Sequence, residues 1–147
     1  MRRVTSALVL TAMMAVSPGM GNAVRAQTAG PDPFLALDLN ALQPSKGGCR
    51  LTFVVTNGLS TPIDRAAFEM ALFNRSGVVD RLTVLDFKDL PAGKTKVSRF
   101  DLAGSACADI GRVLINDATD CKGAGTDRSA CLGSLRTQST SGVTFGR

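Results

Sequence analysis

The chain has 147 residues, of which 17 are Lys or Arg and 12 are Asp or Glu, and it contains four cysteines but no histidine, tryptophan or tyrosine. Without histidine, Ser-His-Asp and Cys-His catalytic sites and imidazole metal sites are excluded. Without Trp and Tyr, an aromatic platform for carbohydrates or nucleic-acid bases is not expected.

The first residues, 1–26, have the pattern of a secretory signal peptide. Two arginines precede an apolar run at 7–16, and the small or short residues Val24 and Ala26, at the positions that a signal peptidase reads, favour cleavage before Gln27. Cleavage after Ala23 is the alternative. The apolar run is too short for a membrane span, which needs about 20 residues. We therefore expect a periplasmic or secreted protein with no transmembrane segment in the mature chain.

Cleavage of this signal changes the charge balance. It removes three of the 17 basic residues and no acidic residue, so 14 basic and 12 acidic side chains leave a net charge of +2. A net charge of this size affects solubility and does not indicate a surface that binds nucleic acid. We expect a flexible lead-in at 27–33, followed by a single domain at 34–147.

The first predicted strand is 34–42, and the second, at 49–56, has the clearest pattern of the chain. Cys49, Leu51, Phe53 and Val55 alternate with mostly polar residues. Successive side chains of a strand point to opposite faces. The pattern therefore predicts a central strand with one face in the core.

The segment at 66–73 is ambiguous because its composition suits a helix, whereas Phe68, Met70 and Leu72 alternate as in a strand. The turn sequence at 74–77 and the strand-like run at 78–87 favour a β-hairpin. The apolar residues of the next run, 94–102, slip by one position, which predicts a bulge or a curved edge.

The last third of the chain begins with a predicted strand at 110–116. A polar loop is expected at 117–125, followed by one or two helical turns within 127–135 with Asp127 as the N-cap. The tail at 136–147 is rich in Ser, Thr and Gly. It either adds an edge strand or frays.

This series of about six or seven short strands, separated by turn signals, predicts an all-β fold. We expect an immunoglobulin-like antiparallel β-sandwich with a short helical turn near the C-terminus. The tryptophan that usually packs on the disulfide of such a domain is missing.

The four cysteines, Cys49, Cys107, Cys121 and Cys131, allow three disulfide connectivities in an exported chain. If the strands alternate in direction, Cys49 and Cys107 both lie where a strand begins, at the same end of the sandwich. We therefore prefer Cys49–Cys107, with Cys121–Cys131 closing the polar loop. No Cys-x-x-Cys spacing supports a zinc or redox site.

Other catalytic patterns are weak, and we assign no catalytic, metal or cofactor-binding residue. Ser45 with Lys46 and Lys96 with Ser98 formally allow a Ser–Lys dyad, although such pairs are common in loops. The aspartates at 117 and 120 are the nearest approach to an oxygen-ligand site for calcium, but they lack the clustered spacing that such a site needs.

Four segments carry a resemblance to known proteins: Gly48-Cys-Arg-Leu-Thr-Phe-Val-Val-Thr-Asn-Gly58, Leu90-Pro-Ala-Gly93, Phe100-Asp-Leu102 and Gly111-Arg-Val-Leu-Ile-Asn116. Over most of residues 35–135 the chain resembles uncharacterised, signal-bearing periplasmic proteins of bacteria with an immunoglobulin-like domain. The resemblance implies an exported immunoglobulin-like domain and no particular activity.

The function expected from these observations is that of a non-enzymatic interaction or structural module of the periplasm, which presents a sandwich edge or a loop to a partner protein of the cell envelope. The predicted surface is the loop at 117–135, since a disulfide-constrained loop loses less entropy on binding. The alternative is a small envelope enzyme that works without histidine, through aspartates or a Ser–Lys pair.

Overall fold

The structure is a computed structural model that describes residues 32–123, 125 and 127–147. The predicted signal peptide at 1–26, and the lead-in at 27–33 apart from its last two residues, lie outside the described residues. The described strands are β1 Leu35–Ser45, β2 Gly48–Asn57, β3 Ile63–Asn74, β4 Val79–Leu90, β5 Thr95–Ala103, β6 Ile110–Lys122, β7 Leu135–Ser139 and β8 Thr144–Gly146. A 3-10 turn, Cys107–Asp109, precedes β6, and one helix, α1 Arg128–Gly133, follows it.

The strands form two four-stranded sheets, in the orders β5-β2-β1-β7 and β4-β3-β6-β8. Neighbouring strands are antiparallel, except that β7 runs parallel to β1 and β8 runs parallel to β6. The core lies between the sheets. The predicted all-β, immunoglobulin-like sandwich is confirmed, with one more strand than the upper estimate.

Strand β2 lies inside its sheet, between β1 and β5. Cys49, Leu51 and Phe53 have no exposed side-chain surface, and Val55 is 1% exposed, whereas Arg50 on the other face is only partly buried. The predicted alternation, and with it the central position of this strand, is confirmed.

A cluster of phenylalanines connects the two sheets through the core. Phe53 of β2 lies edge-to-face with Phe87 of β4 at 5.4 Å between ring centroids and with Phe145 of β8 at 5.5 Å. It also contacts Phe100 of its own sheet at 6.0 Å. Phe87 continues the cluster to Phe68 at 5.9 Å. Edge-to-face pairs add to the free energy of area burial, and Phe53 and Phe87, which each contact three other rings, form the aromatic centre of the core.

The ambiguous segment at 66–73 lies within β3, which pairs with β4 as a hairpin. The side-chain carbonyl of Asn74 accepts hydrogen bonds from the backbone N–H groups of Ser76 and Val78, both at 3.0 Å. Gly77 has φ +79°, a conformation that favours glycine. The turn sequence therefore produces the predicted hairpin and excludes the helix.

For the segment at 94–102 the sequence predicted either a bulge or a curved edge. Strand β5 does lie at the edge of its sheet, whereas the bulge is wrong. Its register with β2 is regular from Gly48 opposite Ala103 to Thr56 opposite Thr95. The apolar spacing slips because Val97 points outward and is 56% exposed, while Phe100 packs against the core.

Strand β6 is longer than predicted and corrects the expected loop at 117–125. The strand continues past Asn116 to Lys122, and its later residues Ala118 and Cys121 are buried. Register shifts against β3 interrupt the pairing in this part of the strand. These bulges break the alternation of apolar residues on which the prediction depended.

The C-terminal part follows the remaining predictions. The Asp127 carboxylate accepts a hydrogen bond from the backbone N–H of Ala130 at 2.8 Å, which confirms it as the N-cap of α1. The tail forms strands β7 and β8 instead of fraying, and Phe145 of β8 is 8% exposed.

Candidate functional site

The four cysteines form two disulfides, in the preferred connectivity. Cys49 and Cys107 are joined with 4.9 Å between their Cα atoms, and Cys121 and Cys131 with 6.2 Å. The first disulfide fixes the start of β2 to the turn before β6. The second fixes the end of β6 to α1. Paired, mostly buried cysteines stabilise the fold, and disulfides of this kind are typical of extracytoplasmic compartments.

The predicted binding surface at 117–135 is not a free loop. Arg128 of α1 joins this helix to β6, through an ion pair with Asp117 at 2.8 Å and a hydrogen bond to the carbonyl of Ala118 at 2.7 Å. Cys131 is fully buried, and Leu132 packs against the core. Most of its described residues lie in β6 and α1, so the geometry of the segment favours a structural role.

The aspartates considered for calcium are bound to cations of the chain. Asp117 pairs with Arg128, and Asp120 lies 3.6 Å from the Arg65 guanidinium and 3.4 Å from the Lys122 ammonium. Within the described ranges, no three or more His, Cys, Asp or Glu side chains are grouped so that they could hold a metal ion.

Of the two Ser–Lys pairs, the one on β5 is occupied by an ion pair. The Lys96 ammonium donates to the Asp89 carboxylate at 3.2 Å and also to its backbone carbonyl. A charged ammonium held by a carboxylate is a poor general base for Ser98. Lys46 and Ser45 lie at the turn between β1 and β2.

Around Asp86, on β4, charged side chains form a network. The Lys88 ammonium bonds its carboxylate at 2.7 Å, and Arg65 bonds it at 3.0 Å. The hydrogen bond from Lys88, supported by Arg65, lowers the pKa of Asp86 to about 2. Lys88 is largely exposed, so the network contributes modestly to stability.

This network predicts a small pH dependence of stability. A carboxylate whose folded pKa lies below its unfolded value, about 4, stabilises the fold above that value and stops doing so as the pH falls through the folded pKa. At pH 6 we expect Asp86→Asn to lower the free energy of unfolding by up to about 1 kcal/mol. The difference from the parent protein should narrow below pH 4, as urea titrations across this range would show.

Lys88→Gln is the matched control, because it removes the main cause of the low pKa and keeps the carboxylate. It should flatten the same part of the pH profile. An unchanged profile in Lys88→Gln would show that the network does not control the titration of Asp86.

The main exposed apolar surface of the described residues lies on the outer face of the β4-containing sheet. Val79, Leu82 and Val84 of β4 are 51%, 55% and 53% exposed. In the register of the sheet, Val79 lies opposite Phe73 of β3. Ala71 of β3 separates Leu82 from Leu114 of β6. We define the outer patch as Phe73, Val79, Leu82, Val84 and Leu114.

The outer patch lies beside an edge strand and is rimmed by polar groups. β4 pairs with β3 on one side only in the described sheet, so its other side presents unpaired backbone groups. Glu69 lies opposite Val84 and is bonded by Asn116, and the Arg112 guanidinium lies 5.3 Å from the centroid of the Phe73 ring. An apolar centre with a polar rim is the usual composition of a protein interface.

Sequence reasoning did not identify the outer patch, although its signal was present. Leu82 and Val84 lie on one face of the strand, and Leu85 and Phe87 lie on the other, so β4 is apolar on both faces. In a central strand such a pattern indicates burial on both sides. Here only the inner face of the sheet packs against the other sheet, and the outer set remains exposed.

A small cavity lies at one end of the sandwich, between the β3–β4 hairpin and the segment joining β5 to β6. We call it the end cavity. Its volume is about 60 Å³, and Asp80, Ser105 and Asp109 are among the residues that line it. The Ser105 residue is 7% exposed, and its hydroxyl has no hydrogen-bond partner among the described residues. A buried hydroxyl left in this state costs about 1–3 kcal/mol.

Comparisons with known proteins do not assign the chain to a family. No family model matches it, and no curated protein matches it. Among solved structures, part of the chain is similar to the trimeric lipoprotein SadB of Salmonella enterica, with 21% identity and a TM-score of 0.41. The match covers 48% of this chain and 40% of that one. No described helix has the length and apolar character that crossing a membrane requires.

Proposed function

We propose that the chain is an exported, non-enzymatic interaction module that binds an extended strand of a partner protein in the cell envelope. The outer patch and the free edge of β4 form the binding surface. The observation that supports this most strongly is the exposure of three large apolar side chains, each more than half exposed, along one edge strand.

Covering Val79, Leu82 and Val84 would supply apolar binding free energy. Fully burying one aliphatic side chain stabilises a complex by roughly 1.5–3 kcal/mol, so covering half-exposed ones contributes about half of that each. Neighbouring Phe73 and Leu114 are already partly buried and would be covered further. Together they form the apolar centre that a protein interface needs.

The backbone of β4 favours an extended strand as the partner. The unpaired N–H and C=O groups of β4 and the outer patch lie side by side, so a partner strand could use both together. The regular stretch of the ladder, from Arg81 to Asp86, offers such a strand an unbroken register. A helix or a lipid surface would leave these backbone groups unpaired.

Three contacts weigh against the rival hypothesis of a histidine-free enzyme. Lys96 is held by Asp89, Asp86 by Lys88, and Asp117 by Arg128. A panel of hydrolase assays on the purified protein tests the rival directly. Turnover that Lys96→Ala or a single Asp→Asn change abolishes would overturn the binding proposal.

The binding proposal predicts that Leu82→Lys and Val84→Lys lose the partner. In crosslinked envelope extracts from cells that export the protein, each change should weaken capture of the same partner roughly tenfold or more. Lysine on the outer patch would have to be buried with its charge, whereas both positions are solvent-exposed in the free protein, so folding should be preserved.

Val97→Lys is the matched control, since Val97 is 56% exposed on the edge strand of the other sheet. It should capture the partner as the parent does. Equal loss in all three variants, or no loss in any, would contradict the proposed surface.

A mature protein whose N-terminus is still Met1 would contradict export.

A further inference from the structure

We propose that the outer patch selects a partner strand that places a lysine beside Val84, where the lysine ammonium pairs with Glu69. This inference rests on the proposed function and deepens it, because it names the chemistry by which the partner strand is chosen. Glu69 has no ion-pair partner among the described side chains. It lies on β3, one strand in from the free edge of β4, and the half-exposed Val84 separates it from that edge.

Three other carboxylates lie on the same row of the sheet as Glu69 or on the next row. Each of them has a cation of the chain within 3.4 Å. The pairs are Asp86 with Lys88, Asp117 with Arg128, and Asp120 with Lys122. The Glu69 carboxylate instead accepts a hydrogen bond from the side-chain amide of Asn116, which is a neutral donor. Of these four carboxylates, Glu69 is therefore the one that a cation from outside the chain would pair.

The position of Glu69 does not favour the free protein. Asp117 of β6 lies directly opposite Glu69 in the register of the sheet. Like charges opposite each other destabilise an antiparallel pair, and Arg128 compensates the charge of Asp117 only. A side chain that costs stability in the free protein and borders an exposed apolar patch is better explained by binding than by folding.

The distance from the free edge selects a long basic side chain. Neighbouring strands are about 5 Å apart, so a strand added to β4 lies about 10 Å from β3. The side chain opposite Val84 on the added strand points to the same face as Val84 and Glu69. A lysine there lays its four-carbon stem across the exposed Val84 and brings its ammonium to the Glu69 carboxylate.

The other charge beside the patch is too far from the edge to contribute. Arg112 of β6 lies over the Phe73 ring, two strands in from β4 and about 15 Å from an added strand. On the row of Leu82, the neighbours in β3 and β6 are Ala71 and Leu114, so this row favours an apolar residue of the partner. The expected partner strand therefore carries an apolar residue and a lysine two positions apart, on one face.

The test is an NMR titration of the mature, disulfide-bonded protein with the blocked peptide N-acetyl-Thr-Lys-Thr-Ile-Thr-Lys-Thr-amide. Its sequence is symmetric, so a lysine lies beside Val84 in either strand direction when the isoleucine lies beside Leu82. Backbone amide shifts should concentrate at 81–86. The peptide with glutamine at both lysine positions should bind about fivefold more weakly, and the peptide with glutamate there should bind weakest.

Variants at position 69 assign the preference to this carboxylate. Glu69→Gln should bind the lysine and glutamine peptides equally, while its urea midpoint stays unchanged or rises. Glu69→Lys should bind the glutamate peptide better than the lysine peptide. Asp101→Asn is the matched control, since it removes one negative charge from the other sheet, where Asp101 pairs with Arg50 at 2.9 Å. It should keep the preference for lysine.

Equal binding of the lysine and glutamine peptides by the parent, or an unchanged preference in Glu69→Gln, would overturn the inference. A lower urea midpoint in Glu69→Gln would overturn it too, because Glu69 would then serve the stability of the sheet. Shifts at 81–86 that Leu82→Lys abolishes would still support the proposed surface in these cases. If no peptide binds, this inference fails, and capture of the partner by the Leu82→Lys variant decides the proposed function separately.

Discussion

Replacing Phe53 with alanine is expected to lower the free energy of unfolding by about 3–5 kcal/mol, the largest effect of any single substitution predicted for this chain. Phe53 has no exposed surface and contacts Phe87 and Phe145 of the opposite sheet as well as Phe100 of its own. Its removal leaves a cavity where the two sheets meet. Most domains have only ~5–15 kcal/mol of stability, so the variant should be close to unfolding.

Urea unfolding of the oxidised protein measures this loss as a lower midpoint at an unchanged slope. Phe34→Ala is the control, because Phe34 is only partly buried and its ring lies under the Arg136 guanidinium at 4.7 Å. The control should lose clearly less stability. Equal losses at the two positions would show that the phenylalanine cluster is not the centre of the core.

Removing the Cys49–Cys107 disulfide should be the second-largest change. The cysteines are 58 residues apart, and the chain-entropy relation assigns about 4 kcal/mol to a loop of that length. Cys121 and Cys131 are only 10 apart, which corresponds to roughly 3 kcal/mol. The paired change Cys49→Ala with Cys107→Ala should therefore destabilise more than Cys121→Ala with Cys131→Ala.

The two double variants are each other's control, since both remove one disulfide and leave no free thiol. Thermal and urea unfolding of both, with free thiols counted in each, make the comparison. A larger loss from the short disulfide would contradict the assignment of Cys49–Cys107 as the main covalent restraint between the sheets.

Local sequence rules predicted those features of the fold that a local pattern determines. The alternation of Cys49, Leu51, Phe53 and Val55 sufficed to place β2 in the core. The hairpin followed from the side-chain carbonyl of Asn74 bonding its own turn. The disulfide connectivity followed from strand direction alone.

The end of β6 could not be predicted in this way. Ala118 and Cys121 both face the core, but their spacing of three does not fit a regular strand. Bulges against β3 bring both residues inward, and a bulge depends on pairing with a distant strand. Local composition in this part of the chain is polar, which favours a loop.

The order of the strands within the sheets also could not be predicted from the sequence. Apolar alternation predicts which residues share a face, but not whether a strand has one neighbour or two. Leu82 and Val84 are exposed because they lie on the outer face of their sheet, and the other sheet packs only on the inner face. The end cavity depends likewise on the approach of Ser105 and Asp109 to a hairpin about 30 residues earlier in the chain, which only tertiary packing produces.

The central claim is that the outer patch is where this protein meets its partner. Site-specific photocrosslinking in the exporting cell tests it most directly, with a benzoylphenylalanine at position 84 and, as the matched control, at position 97. We predict one discrete adduct with another protein from position 84 and none from position 97. No adduct from position 84, the same adduct from both positions, or an adduct with a second copy of this chain would contradict the claim.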